Sequence, residues 1–106
     1  YDIAFENTKV KTIIPENNFS HAYHLYVIQV ADRKGLYDYL RTKQIFAQVH
    51  YVPVHLMPYY KQFGWKKGDC PHAEAYYEHC LSIPMYPTLT EVEQDFVIQE
   101  ILKFVE

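Results

Sequence analysis

Prolines cut the apolar runs of this chain short, and that confines any sheet to a few brief strands. The clearest case is Phe46-Ala-Gln-Val-His-Tyr-Val-Pro-Val-His-Leu-Met-Pro-Tyr-Tyr60, where a strand pattern runs into Pro53 and then Pro58. Proline has no amide hydrogen for a ladder, so regular pairing stops there. Beyond that point the chain lays two histidines and three tyrosines on an irregular segment. Such loops, held by a rigid scaffold, are where binding chemistry concentrates. The same punctuation ends a short strand predicted over Lys9–Ile14 at Pro15 and another over Leu81–Met85 at Pro84.

Between these stops the local signals are regular. Tyr23–Ala31 is aromatic and β-branched without Gly or Pro, which predicts a strand. Leu25, Val27 and Gln29 alternate with His24, Tyr26, Ile28 and Val30, and both faces are largely apolar, as in a central strand. Asp32 is placed to cap a helix over Arg33–Lys43, with Leu36, Tyr39, Leu40 and the stem of Lys43 on one stripe. Phe46–Tyr51 predicts a second strand, which would turn His50 and Tyr51 to opposite faces. One helical turn is expected around Leu56–Phe63, and Lys66-Lys67-Gly68-Asp69 reads as an exposed turn. Pro71–Cys80 has helix composition with proline at the first position. Thr90-Glu91-Val92-Glu93 is a capping box ahead of a helix to Val105. Its stripe is Val97, Ile101, Leu102 and Val105, widened by Phe96, Ile98 and Phe104. Residues 1–8 suit the tail of a helix, and Glu16–Ser20 a polar loop. The expected architecture is α+β, a small antiparallel or mixed sheet packed with helices.

A chain of 106 residues suits one domain with one core, and 49% apolar content excludes whole-chain disorder. The ten basic residues form no patch and net charge is −3, which argues against nucleic-acid and membrane-surface partners. No apolar run reaches the roughly 20 residues that span a bilayer. Eleven tyrosines suit walls and interfaces. Two cysteines, Cys70 and Cys80, are too few for a disulfide scaffold, so free thiols in a reducing cytoplasm are expected. The chain opens on Tyr1, which suggests a piece cut or taken from something longer.

His72, Tyr76 and His79 share a helical face flanked by Cys70 and Cys80, but their spacing matches no usual zinc pattern. Cys70 heads a predicted helix without a glycine-rich elbow or an evident base. His50, Tyr51 and His55 remain: their side chains can donate to sugar or phosphate oxygens, or simply pack.

Several motifs together resemble the DegT/DnrJ/StrS family of nucleotide-sugar aminotransferases. They are His24-Leu-Tyr-Val-Ile28, Gln48-Val-His-Tyr-Val-Pro53, His55-Leu-Met-Pro-Tyr-Tyr60, Cys70-Pro71 with Ala73-Glu74, and Leu81-Ser-Ile-Pro-Met-Tyr-Pro87 before Leu89-Thr90. Gln48-Val-His-Tyr51 looks closest to the branch that aminates C4 of a UDP-linked 4-keto-6-deoxy sugar on the route to pseudaminic acid, and spore-coat polysaccharide enzymes are similar. The resemblance implies a pyridoxal 5'-phosphate (PLP) enzyme of fold type I, usually a homodimer, with glutamate as amino donor. It covers only the C-terminal small domain, residues 21–106, preceded by the end of an interdomain helix and a linker or edge strand over 1–20. The PLP lysine belongs to the large domain, and none of the eight lysines here sits in its motif. No catalytic residue is therefore expected in this chain, which should not transaminate alone. The substrate-binding positions that the resemblance implies are His50 and Tyr51, then His55 and Tyr59. The competing reading is a standalone, non-catalytic α+β module that recognises a nucleotide sugar or a protein. An isolated small domain should also expose an aromatic face and self-associate through it.

Overall fold

A computed structural model describes residues 1–17 and 19–106. The expected polar loop Glu16–Ser20 contains Asn18, which lies outside the described residues. Helix α1 (Asp2–Phe5) leads into strand β1 (Lys11–Thr12), then β2 (Tyr26–Gln29) and helix α2 (Arg33–Thr42). A 3-10 turn at Val54–Leu56, helix α3 (Pro58–Lys61), helix α4 (Pro71–His79), strand β3 (Cys80–Ile83) and helix α5 (Glu91–Val105) follow. The sheet is antiparallel, in the order β1-β2-β3, with Thr12 opposite Ile28 and Ile28 opposite Leu81. The α+β expectation holds, and β2 is the central strand.

The core explains this order. Tyr26, Ile28 and Val30 bury one face of the β2 segment, while Leu25, Val27 and Gln29 on the other are half-covered. Strand β3 is buried at every position, because β2 flanks it on one side and the 46–50 segment on the other. Leu36 and Leu40 of α2 and Val97 and Ile101 of α5 fill the space against Leu81 and Ile83. Phe5 and Val10 enter the same core from the N-terminal segment. At the rim of this packing the Tyr39 hydroxyl donates to Glu100 Oε2 at 2.6 Å and Lys43 Nζ lies 3.4 Å from the same oxygen. The stem of Lys43 thus ends the α2 stripe as its spacing implies.

Both helix starts form as read. Asp32 accepts from the Gly35 amide at 2.9 Å. A Cβ at Gly35 would meet the Asp32 carboxylate at 2.2 Å, so a larger residue there would make the capping side chain shift. At α5, Thr90 and Glu93 exchange hydrogen bonds in a complete capping box.

Two expectations fail. The Phe46–Tyr51 strand reduces to a single bridge, Gln48 opposite Ser82. The Ser82 amide and carbonyl both bond Gln48, at 2.8 and 2.9 Å. Extension is blocked on either side: Pro84 has no amide hydrogen, and the Cys80 amide is committed to the Tyr76 carbonyl that closes α4. Phe96 does not widen the α5 stripe. It is exposed, beside Phe46, Tyr86 and Leu89 around a recess of about 340 Å³.

Candidate functional site

The segment that leaves the Gln48 bridge forms a short arch, residues 50–55, with a histidine at each foot. At the first foot, His50 is half-buried and its Nδ1 lies 2.9 Å from Ser82 Oγ on β3. At the second, His55 is only 7% exposed and its Nε2 lies 2.8 Å from Glu74 Oε1, in the first turn of α4. Between them the chain stands away from the core: Tyr51 is 67% exposed, and Val52 and Val54 are exposed beside it. Pro53 is buried, and its carbonyl accepts from the Leu56 amide at 2.8 Å, turning the chain into the 3-10 segment.

The bridge, unlike a strand, does not impose alternation beyond Gln48. The His50 and Tyr51 rings do not part to opposite faces. They meet edge to face with centroids 4.7 Å apart.

Glu74 is the residue that sequence reasoning left without a role. Glu74 is 8% exposed, and Oε1 takes both His55 and the Gly68 amide, the latter at 2.7 Å. The His55 hydrogen bond is the chief reason its pKa lies below the ordinary glutamate range, with the Gly68 and Cys70 amides adding to it against the opposing effect of burial. Gly68 sits at φ +95°, a conformation that suits glycine. The turn before it is closed by Asp69, which accepts from the Lys66 amide at 2.9 Å. One carboxylate thus ties the arch, the 66–69 turn and α4 together. The only sequence signal was Glu74 inside the Cys70–Glu74 motif, nineteen positions from the histidine that it meets.

Tyr59 is 64% exposed and belongs to a neighbouring group, edge to face with Tyr60 at 5.1 Å and Phe63 at 5.6 Å. A recess of about 480 Å³ opens beside the arch, walled by Val54, His55, Tyr60, Trp65, Cys70 and Ala73. A wider recess of about 620 Å³ lies between α1 and residues 10–15 and includes none of the candidate side chains. The structure therefore unites His50 with Tyr51, turns His55 inward, and sets Tyr59 apart.

Among the described residues, no three His, Cys, Asp or Glu side chains gather as a metal site would need. Both cysteines are free thiols. Cys80 is buried, which raises its pKa, and its Sγ lies 4.0 Å from the His50 carbonyl. His79 Nδ1 donates to the Ala75 carbonyl at 2.7 Å, within its own helix. No helix among the described residues is long and apolar enough to cross a membrane.

The fold is thus a three-stranded antiparallel sheet packed with helices, with a histidine-footed arch leaving the bridge to β3. The description of the DegT/DnrJ/EryC1/StrS aminotransferase family matches residues 1–102, and the chain belongs to that family. Spore coat polysaccharide biosynthesis protein SpsC of Bacillus subtilis is 41% identical over 96 residues, 81% of this chain and 24% of SpsC. The dTDP-3-amino-3,4,6-trideoxy-alpha-D-glucose transaminase of Streptomyces venezuelae is 32% identical over 79% of this chain and 22% of its own length. Among solved structures, the PLP form of the sugar aminotransferase Spr1654 from Streptococcus pneumoniae superposes with a TM-score of 0.89. It is 24% identical over 96% of this chain and 28% of its own. Helicobacter pylori PseC, an aminotransferase of pseudaminic acid biosynthesis, superposes with a TM-score of 0.85 at 24% identity, over 98% of this chain and 29% of PseC. At that identity the likeness is one of fold and carries no substrate. The chain spans about a quarter of the length of these curated relatives.

The family implies PLP, and the residues here do not fit a site that holds it. Lys9, Lys11, Lys34, Lys61, Lys66, Lys67 and Lys103 are exposed, and the half-buried Lys43 is paired with Glu100. None lines the recess beside the arch.

Proposed function

We propose that this chain is the C-terminal small domain of a PLP-dependent aminotransferase. The enzyme transfers an amino group, from glutamate, to a UDP-linked 4-keto-6-deoxy sugar for surface-polysaccharide or pseudaminic-acid biosynthesis. Residues 1–20 complete an interdomain helix and linker, residues 21–106 form the small domain, and a large domain carries the cofactor lysine. The intact enzyme is a cytoplasmic homodimer, and this chain alone does not transaminate. The cofactor supplies the electron sink wherever it is held, and the protein supplies orientation.

The observation that carries this reading is the arch. A folded domain of this size has little reason to hold Tyr51 and its apolar neighbours in water while anchoring a histidine at each foot. The arrangement suits a surface that becomes one wall of a pocket at a domain interface. There His50 donates an N–H to a sugar or diphosphate oxygen, Tyr51 covers the sugar face, and Tyr59 extends the wall. Closing the wall excludes water. His55 contributes from beneath by fixing the arch.

The test is His50→Ala in the enzyme expressed with all of its coding sequence. Loss of one hydrogen bond to the substrate should raise KM for the nucleotide sugar about fivefold or more, with KM for the amino donor unchanged. An unaltered KM for the sugar removes His50 from the site.

A further inference from the structure

The two feet of the arch are held by side chains that nothing above places in contact with substrate. Ser82 is buried in the middle of β3, where its backbone already bonds Gln48, so its position is fixed to the sheet. Its hydroxyl lies 2.9 Å from His50 Nδ1. A hydroxyl can either donate or accept there. When Ser82 donates, the imidazole proton is left on Nε2, and that is the tautomer that can give a hydrogen bond to a sugar or phosphate oxygen. At the other foot, Glu74 holds His55 and the Gly68 amide with one oxygen, so a shift of the arch at that foot gives up the His55–Glu74 hydrogen bond. Only Tyr51, Val52, Pro53 and Val54 lie between the two anchors.

We infer that Ser82 and Glu74 are positioning residues. Acting through His50 and His55, they fix the ring orientation of His50 and the span of the arch, and so set the pose of Tyr51 toward the nucleotide sugar. This rests on the assignment of His50 and Tyr51 to the sugar site.

The test uses the full-length enzyme with Ser82→Ala and Glu74→Gln. Both changes are close in size to the residues replaced, and circular dichroism checks that each variant folds. Each variant should raise KM for the nucleotide sugar about fivefold, the loss of one ordinary hydrogen bond, while KM for the amino donor stays within about twofold. Because Ser82 acts through His50, the double variant His50→Ala/Ser82→Ala should be no weaker than His50→Ala. Hydrogen exchange by mass spectrometry supplies a readout free of substrate: Glu74→Gln should speed exchange over residues 54–70 and leave β2 and β3 protected. An unchanged KM for the sugar, or equal rises for sugar and donor, overturns the positioning role. So does unchanged exchange over 54–70 in Glu74→Gln. A wild-type enzyme that turns over no nucleotide sugar overturns the underlying site assignment instead, and the exchange experiment then still reports whether Glu74 holds the arch.

Discussion

Ile28 is the residue on which the sheet depends most. It is fully buried at the centre of β2, opposite Thr12 on one side and Leu81 on the other. Truncation to alanine removes three carbons, and at about 0.8 kcal/mol for each the lost transfer free energy is roughly 2.4 kcal/mol. The wall of the resulting cavity is strand backbone and helix side chains that relax only partly, so the total should be about 3–4 kcal/mol. A domain of this length holds roughly 5–15 kcal/mol, so the variant keeps its fold by a narrow margin. In urea, with a slope of about 1.5 kcal/mol per molar, the midpoint should fall by about 2 M. Ile28→Val, which loses one carbon, should cost about 1 kcal/mol. Val92→Ala is the control: that side chain is 79% exposed on α5 and should shift stability by less than about 0.5 kcal/mol. If Ile28→Ala costs no more than Val92→Ala, the sheet is not the organising layer, and the anchoring of His50 through β3 loses its basis.

Other perturbations probe the arch and the helix starts. Gly68→Ala places a side chain at φ +95° and should destabilise by about 1 kcal/mol, read as a lower thermal midpoint with faster exchange at the 66–69 turn. Thr90→Ala removes the α5 cap and should cost about 1 kcal/mol in urea melts. Glu74 supplies one part of the pH dependence, beside Asp69, Glu93 and Glu100, whose pKa values are lowered by their own hydrogen bonds. The folded pKa of Glu74 lies below the ordinary 4.5, so between those values the unfolded chain binds more protons. The stabilisation is present above pH 4.5 and is lost as pH falls through the folded value. Thermal midpoints from pH 3 to 6 should fall steeply at the acid end, and Glu74→Gln should flatten that limb; parallel acid limbs in both proteins would refute the pair's contribution.

What the sequence discloses here is local, and what it conceals is pairing at a distance. The β2 run has no Gly or Pro and its apolar residues alternate, so its place at the centre was readable. Asp32 and Thr90 announce their helices because a cap needs only three residues of context. The Phe46–Tyr51 run has the same strand composition, yet its fate was decided elsewhere. Pro84 and the committed Cys80 amide leave it one partner, Ser82, and no local property of the run records that. The same limit hid the Glu74–His55 contact and the meeting of the His50 and Tyr51 rings. The candidate residues themselves were legible through the motifs that carry them. Their geometry, with one histidine half-buried and the other turned inward, was not.

The proposed function requires that this domain work beside a cofactor-bearing large domain. Intact mass of the protein from its source, after borohydride reduction, tests it most directly. The expected result is a chain far heavier than 12.7 kDa that carries the mass of the reduced cofactor. A native chain of 12.7 kDa with no added mass would contradict it and leave a binding module in its place.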